Sequence, residues 1–276
     1  MAASDVSTSE DVRQADTSMF DETLLSSIVS IEENRENRPS RPLGTGFLVK
    51  TGSGPVLLCT AKHVVLNPSG TIKLDLNYRL VDHAERTSVL HDKELRQAFG
   101  AWYVAENDDL SCRFIASTPE PSLVAISTDQ FMRADRLRAT TPVIALGFPL
   151  GVRSLHSPKA IVRGGIVARV DRDGILLDVL IFHGSSGSPV MSAGHISDTA
   201  PEHTAVPQRH MLLGVVTGFV PYRDRALTQQ GGNAHILSII GNAGLATAVP
   251  ADRLLTLIGR ADVKEREGLL VTIEKN

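Results

Sequence analysis

Three short segments of this 276-residue chain hold side chains suited to nucleophilic acyl transfer: His63 after Thr60-Ala61-Lys62, Asp109 heading Asp-Leu-Ser, and Ser186 within His183-Gly184-Ser185-Ser186-Gly187-Ser188-Pro189. A serine hydroxyl is a weak nucleophile, so it needs an imidazole to remove its proton and a third group to hold that imidazole. His63 fits the base and Asp109 the orienter that fixes its tautomer. Taken singly, a histidine after a strand, an acidic loop end and a Gly/Ser turn are ordinary structural features. Their co-occurrence at strand ends, in the order His, Asp, Ser, is what points to chemistry. Asp108 is the rival orienter, but Asp109 directly precedes the alternation Leu110, Cys112, Phe114. Ser186 is preferred to Ser185 because a Gly-x-Ser-Gly-x-Pro frame sets Gly184 two before it and Gly187 one after. That frame permits a tight turn aiming the N–H groups of Gly184 and Ser186 at one point, an oxyanion hole for a tetrahedral intermediate.

The elements that must position these groups read as short strands. A first train comprises Ile28 to Ile31, Gly46 to Val49, Val56 to Cys59, Ile72 to Leu76, Trp102 to Val104 and Leu110 to Ile115, with Gly, Pro, Asn and Ser between them. A second comprises Val143 to Leu146, Ile161 to Val170, Ile175 to Ile181, Val190 to Met191, Met211 to Val216 and Leu245 to Val249. The predicted fold is all-β: two six-stranded antiparallel barrels and one short C-terminal helix, Ala251 to Ile258, after Pro250. The expected division is an acidic tail over 1–23, a first lobe over 24–118 with His63 and Asp109, a connection over 119–136, a second lobe over 137–260 with Ser186, and an extension over 261–276. Asp82 to Phe99, Ala193 to Gln208 and Pro221 to His235 read as long loops.

Composition narrows the function classes. With 42% hydrophobic residues and a net charge of −3, the chain reads as globular, with no bias toward nucleic acid. No secretory signal and no apolar run of membrane-spanning length is visible, so neither a membrane nor export is expected and the predicted location is cytoplasmic. Two cysteines, Cys59 and Cys112, suit a reducing compartment as inert buried thiols, on strands that could be neighbours. The nine histidines form no His-Glu-x-x-His helix, so no metal or other cofactor is expected, and His83, His91, His195, His203, His210 and His235 read as loop residues.

The residues resemble the trypsin-like, chymotrypsin-fold serine peptidases, and among them the HtrA branch. The resemblance runs from about Ile28 to Ile258. It rests on Gly44-Thr45-Gly46-Phe47-Leu48-Val49, Thr60-Ala61-Lys62-His63-Val64-Val65, Asp109-Leu110-Ser111, Ala145-Leu146-Gly147-Phe148-Pro149-Leu150-Gly151, Gly165-Ile166-Val167, Gly184-Ser185-Ser186-Gly187-Ser188-Pro189, Leu213-Gly214-Val215-Val216-Thr217 and Gly244-Leu245-Ala246-Thr247-Ala248-Val249-Pro250. It implies a serine endopeptidase with its site between two barrels and a protein or peptide substrate paired as an added strand on Thr217-Gly218-Phe219. It also implies a primary specificity pocket with Leu180 at its base, flanked by Ile181 and Phe182 and opposed by Thr217 and Phe219, suited to an apolar P1 side chain. Two positions depart from the family: Ser188 stands for the second Gly of Gly-Gly-Pro, and His183 stands where the HtrA branch tends to have Pro. Too few residues follow Ile258 for a PDZ module, and no oligomerisation motif is recognisable. Conditional activity, under a regulatory protein partner among other means, is expected of such an enzyme in a cytosol.

A peptide-binding pseudopeptidase of the same fold is the alternative. An α/β-hydrolase is disfavoured because Ser188 breaks the Gly-x-Ser-x-Gly elbow and strands and helices do not alternate.

Overall fold

The structure, a computed structural model, describes residues 20–82, 84–118, 123–152, 158–194, 210–230 and 233–274. The acidic tail, up to residue 19, and most of Ala193 to Gln208 lie outside these residues, as do His83, His195 and His203.

The first lobe is a sheet of β1 (Ile28–Glu33), β2 (Arg41–Lys50), β3 (Val56–Thr60), β4 (Leu76–Val81), β5 (Thr87–His91), β6 (Tyr103–Val104), β7 (Ser111–Ala116) and β8 (Ile126–Ser127), with α1 (Lys62–Val65) after β3 and α2 (Asp92–Phe99) after β5. Its hydrogen-bonded order is β5-β4-β1-β2-β3-β7-β6, with β8 added parallel to β2. Instead of six strands in a closed ring, this lobe has eight among the described residues, seven on an open path and β8 beside it. The two additional strands are β8, from the segment expected to connect the lobes, and β5, from Asp82 to Phe99, which was expected to be a loop and instead supplies β5 and α2. Ile72 makes only an isolated bridge with Leu66, and the strand expected there starts at Leu76.

Burial explains why α2 docks. Arg113 on β7 is 1% exposed, and its guanidinium meets Asp92 at 2.5 Å and the Gly100 carbonyl at 2.9 Å while lying over the Tyr78 and Trp102 rings. Tyr78 donates to Asp92 at 2.7 Å. A buried charge is tolerable only when paired in this way. Burial, the largest influence, together with the Asp92 carboxylate raises the Tyr78 hydroxyl pKa well above its ordinary value, against the opposing pull of Arg113.

The second lobe is the closed six-stranded barrel that the sequence predicts, in the order β10-β11-β14-β13-β12-β9. Its strands are β9 (Pro142–Gly147), β10 (Ile161–Asp171), β11 (Gly174–Asp178), β12 (Pro189–Ser192), β13 (Leu212–Gln230) and β14 (Asn233–Pro250). β13 and β14 do not stop at the barrel. They continue as a two-stranded arm from Pro221 paired with Asn242 to Gln230 paired with Asn233, where a loop was expected. At roughly 3.4 Å per residue the arm is about 30 Å long.

α3 (Ala251–Ile258) forms as predicted, and α4 (Ala261–Glu274) follows where only an extension was expected. Both join a core shared by the lobes, in which Phe47, Leu57, Leu110 and Phe114 from the first meet Leu146, Phe148, Met191 and Val215 from the second, with Leu254, Leu257, Val263 and Leu270 from the helices. Burying each such side chain contributes about 1.5–3 kcal/mol. The two lobes are therefore held as one body by apolar contact.

Candidate active site

Antiparallel pairing brings His63 and Asp109 together. In the β3–β7 ladder Cys59 is paired with Cys112 and Thr60 with Ser111, so the end of β3 lies beside the start of β7. Three residues past Thr60 stands His63, in the single turn of α1; two residues before Ser111 stands Asp109. The Asp109 carboxylate uses both oxygens. Oδ2 lies 2.6 Å from the His63 ring Nδ1, and Oδ1 accepts the His63 backbone N–H at 2.9 Å. This clamp fixes both position and rotation of the ring. Partial burial pushes the Asp109 pKa up, but the bonds from the His63 ring and backbone and the nearby Lys62 charge prevail and hold it below the usual value. Asp108 points elsewhere and pairs with Arg253 of α3 at 3.0 Å, which settles the choice between the two carboxylates for pairing with His63.

Cys59 and Cys112, neighbours across this ladder, are free and buried. Burial raises both thiol pKa values, that of Cys112 to about 12, which makes them poor nucleophiles.

Ser186 sits in the turn leading into β12, and the first lobe shapes that turn. Thr45 of β2 donates its backbone N–H to the Ser186 carbonyl at 2.8 Å and its hydroxyl to the Gly184 carbonyl at 2.7 Å. The same hydroxyl accepts the Phe148 N–H at 3.1 Å, and the Thr45 carbonyl accepts the Thr60 hydroxyl at 2.6 Å. One buried threonine thus ties β3, the Ser186 turn and the end of β9 together. The motif Gly44-Thr45-Gly46 was visible in the sequence, but its polar purpose was not.

Glycine is required at two points of the turn. Gly184 has φ +93° and Gly187 φ +87°, and a Cβ on them would overlap the Phe148 carbonyl and the Thr45 carbonyl, respectively. Proximity to the His63 helix follows from the same packing: a Cβ on Gly44 would lie 2.9 Å from the Ser186 carbonyl and 2.7 Å from Val64. Among the described residues the Ser186 hydroxyl and the His63 ring make no direct hydrogen bond.

The peptide planes of the turn are fixed by their carbonyls. The His183 carbonyl accepts from Leu150 N–H, and the Ser185 carbonyl accepts from Ser188 N–H at 3.0 Å. Because these peptides are trans, the Gly184 and Ser186 N–H groups project the opposite way. Neither donates to another backbone group among the described residues.

Ser188 departs from the expected glycine, and Gly147 makes room for it. A Cβ at Gly147 would overlap the Ser188 hydroxyl. That hydroxyl is buried without a hydrogen-bond partner.

The expected substrate-contact residues divide into separate groups. β12 pairs with β13 only as far as Val215, and Gly187 N–H reaches the Val216 carbonyl at 2.7 Å, which leaves that edge of Thr217, Gly218 and Phe219 without a neighbouring strand among the described residues. His183, exposed, packs edge-on against Phe219 with ring centroids 5.6 Å apart. Phe182 lies under the Arg163 guanidinium, 5.2 Å from ring centroid to Cζ. Ile181 is buried in the barrel core, and Leu180, 44% exposed, shares a surface groove with Ile161, Val162, Arg163 and Gly164.

Asn242 was not anticipated. Its side-chain amide donates to the Ile181 carbonyl and accepts the Gly244 N–H at 2.8 Å, joining the segment between β11 and the Ser186 turn to β14. An Asn two residues before a positive-φ Gly is the local signal that marks it.

Of the remaining described histidines, His91 ends β5 and bonds Asn77 at 2.8 Å and His235 falls within β14, whereas His210 lies outside the strands, as expected, but is buried and bonds the Ser192 carbonyl at 2.8 Å.

Human heparin binding protein has a similar solved structure, with 12% identity, a TM-score of 0.52, and coverage of 86% of this chain and 92% of that one. The likeness is one of chymotrypsin-like fold. No curated protein sequence matches. The model of the trypsin-like peptidase domain matches residues 44–195, more than half of the chain and a span that includes His63, Asp109 and Ser186; the chain belongs to that family.

Proposed function

We propose that this protein is a serine endopeptidase, nearest in its motifs to the HtrA-type branch. Ser186 attacks the scissile carbonyl, and His63 takes the hydroxyl proton through Nε2 and returns it to the departing amine. Asp109 holds the other ring nitrogen and stabilises the imidazolium as it forms. The Gly184 and Ser186 N–H groups receive the oxyanion, and water then releases the acyl group from Ser186. The carrying observation is the doubly bonded His63–Asp109 pair standing beside a turn whose two N–H groups have no backbone acceptor.

The substrate is a protein or peptide added as a strand along Thr217-Gly218-Phe219. An apolar P1 side chain is the preference that the family resemblance implies, with Phe219, packed against His183, the apolar residue on that edge. Free buried thiols support a reducing, cytoplasmic setting, where activity is conditional on a regulatory protein partner.

A fluorophosphonate probe tests the chemistry, since it should label the wild-type protein and not Ser186→Ala. Absence of labelling in a folded wild type would favour the second reading, peptide binding without hydrolysis. The missing direct bond between Ser186 and His63 favours that reading; catalytic hydrogen bonds that tighten only in the substrate complex account for the same observation.

A further inference from the structure

The arm formed by the outer halves of β13 and β14 is an unfinished sheet. From Pro221 to Asn242 its strands pair only with each other among the described residues, whereas nearer the barrel β12 and β11 cover them. A two-stranded ribbon by itself is marginally stable in water, and three or more strands are needed for independent stability. The two edges differ in chemistry. On the β13 side the strand carries Pro221, Arg223, Asp224 and Arg225, the devices that blunt an edge against pairing. On the β14 side, Asn233 to Gly241 contains no Lys, Arg, Asp, Glu or Pro. Near its base the arm exposes Tyr222 (51%), Ile239 (51%) and Ile240 (64%).

We propose that the β14 edge of the arm is a dimerisation surface whose occupant is the same edge of a second copy, paired antiparallel about a two-fold axis. The charge pattern selects this occupant. Two-fold pairing of an uncharged strand sets no like charges opposite each other, whereas pairing of the β13 edge with itself would bring Arg223, Asp224 and Arg225 near their own copies. The contact is isologous and therefore closes at two copies, each contributing two strands to a four-stranded sheet. An arm about 30 Å long lets the edges meet while the barrels stay apart. The proposal does not depend on the peptidase reading.

Sedimentation velocity on the full chain, from about 1 to 100 μM, tests it. The expected result is a monomer–dimer equilibrium in the wild type. Ile239→Lys, which places a charge on the exposed edge strand, should weaken the dimer at least tenfold while leaving the thermal transition of the barrel in place. Arg225→Glu, on the opposite strand, should leave the dimer within about twofold of wild type. Hydrogen exchange should show amides of Asn233 to Gly241 more protected at high concentration than at low. A wild type that stays monomeric throughout, an assembly that grows beyond two copies, or dissociation by Arg225→Glu with Ile239→Lys still dimeric would each overturn the proposal. If a peptide substrate protects the β14 edge amides in the monomer, the edge serves substrate instead and the proposal likewise fails.

Discussion

Thr45→Val tests whether the first lobe shapes the nucleophile turn. The substitution nearly keeps side-chain shape and keeps the backbone bond from Thr45 to the Ser186 carbonyl, but it removes the hydroxyl shared by the Gly184 carbonyl and the Phe148 N–H. The Phe148 N–H is buried, and leaving such a donor unpaired costs about 1–3 kcal/mol. The Gly184 carbonyl can turn toward water, so its loss is that of one net hydrogen bond, about 1 kcal/mol. Global stability should therefore fall by about 2–4 kcal/mol. Only the Gly184 share bears on the turn. At roughly 1.4 kcal/mol per tenfold, losing it reduces the catalytically competent population about fivefold. Peptide hydrolysis should show kcat reduced about fivefold with KM little changed, while urea unfolding reports the stability loss separately. Thr45→Ser retains the hydroxyl and should recover most of kcat. A folded Thr45→Val protein with kcat within twofold of wild type would refute the reasoning, as would a Ser variant no better than Val.

Asp109→Asn should lower kcat by about 10⁴, as expected when the imidazole is held in the wrong tautomer, with the near-ultraviolet circular dichroism unchanged. The lowered pKa of Asp109 also sets a pH dependence. Its ionised form stabilises the fold above the ordinary carboxylate value of ~3.9, and that contribution is lost as pH falls through the lower folded value. The stability gap between wild type and Asp109→Asn in urea should accordingly shrink below pH ~4. Asp108→Asn loosens a partly exposed bond to Arg253, so calorimetry should register a loss of about 1 kcal/mol or less and kinetics almost none. Arg113→Met removes one of the two guanidinium partners of buried Asp92, which keeps Arg96 at 2.6 Å and the Tyr78 hydroxyl, and should cost about 1.5–3 kcal/mol by chemical denaturation, with kcat of the folded fraction preserved.

The site was more legible in the sequence than the sheets were. His63, Asp109 and Ser186 announce themselves because each stands just outside a strand whose buried run is easily read, and the Asp109 alternation agrees with the β3–β7 register. Thr45 escaped because its importance lies in bonds to residues more than a hundred positions away, which no local pattern encodes. The arm was misread because Pro221, the charged run Arg223-Asp224-Arg225 and Gly231-Gly232 are loop signals; the Gly-Gly pair is also a two-residue hairpin signal, and the apolar Ile236 to Ile240 run was the clue. β5 and α2 were hidden by their polarity, since α2 is anchored mainly by Leu95 and by the paired Asp92. α4 was obscured by Gly268 and by a buried face that includes Glu267, which bonds Lys264 at 2.6 Å as well as Ser53.

The seating of Ser188 against Gly147 makes these two positions one choice rather than two. The side chain present at one fills the volume the other leaves vacant, and Thr45 borders the same space. A library that varies them separately will discard Ala at 147 as unfit, whereas with Ser188→Gly in place the methyl of Gly147→Ala meets one remaining close neighbour, the Thr45 hydroxyl at 2.8 Å. Evolutionary drift at this corner of the site therefore proceeds by exchange, with the order of substitutions dictating which intermediate survives.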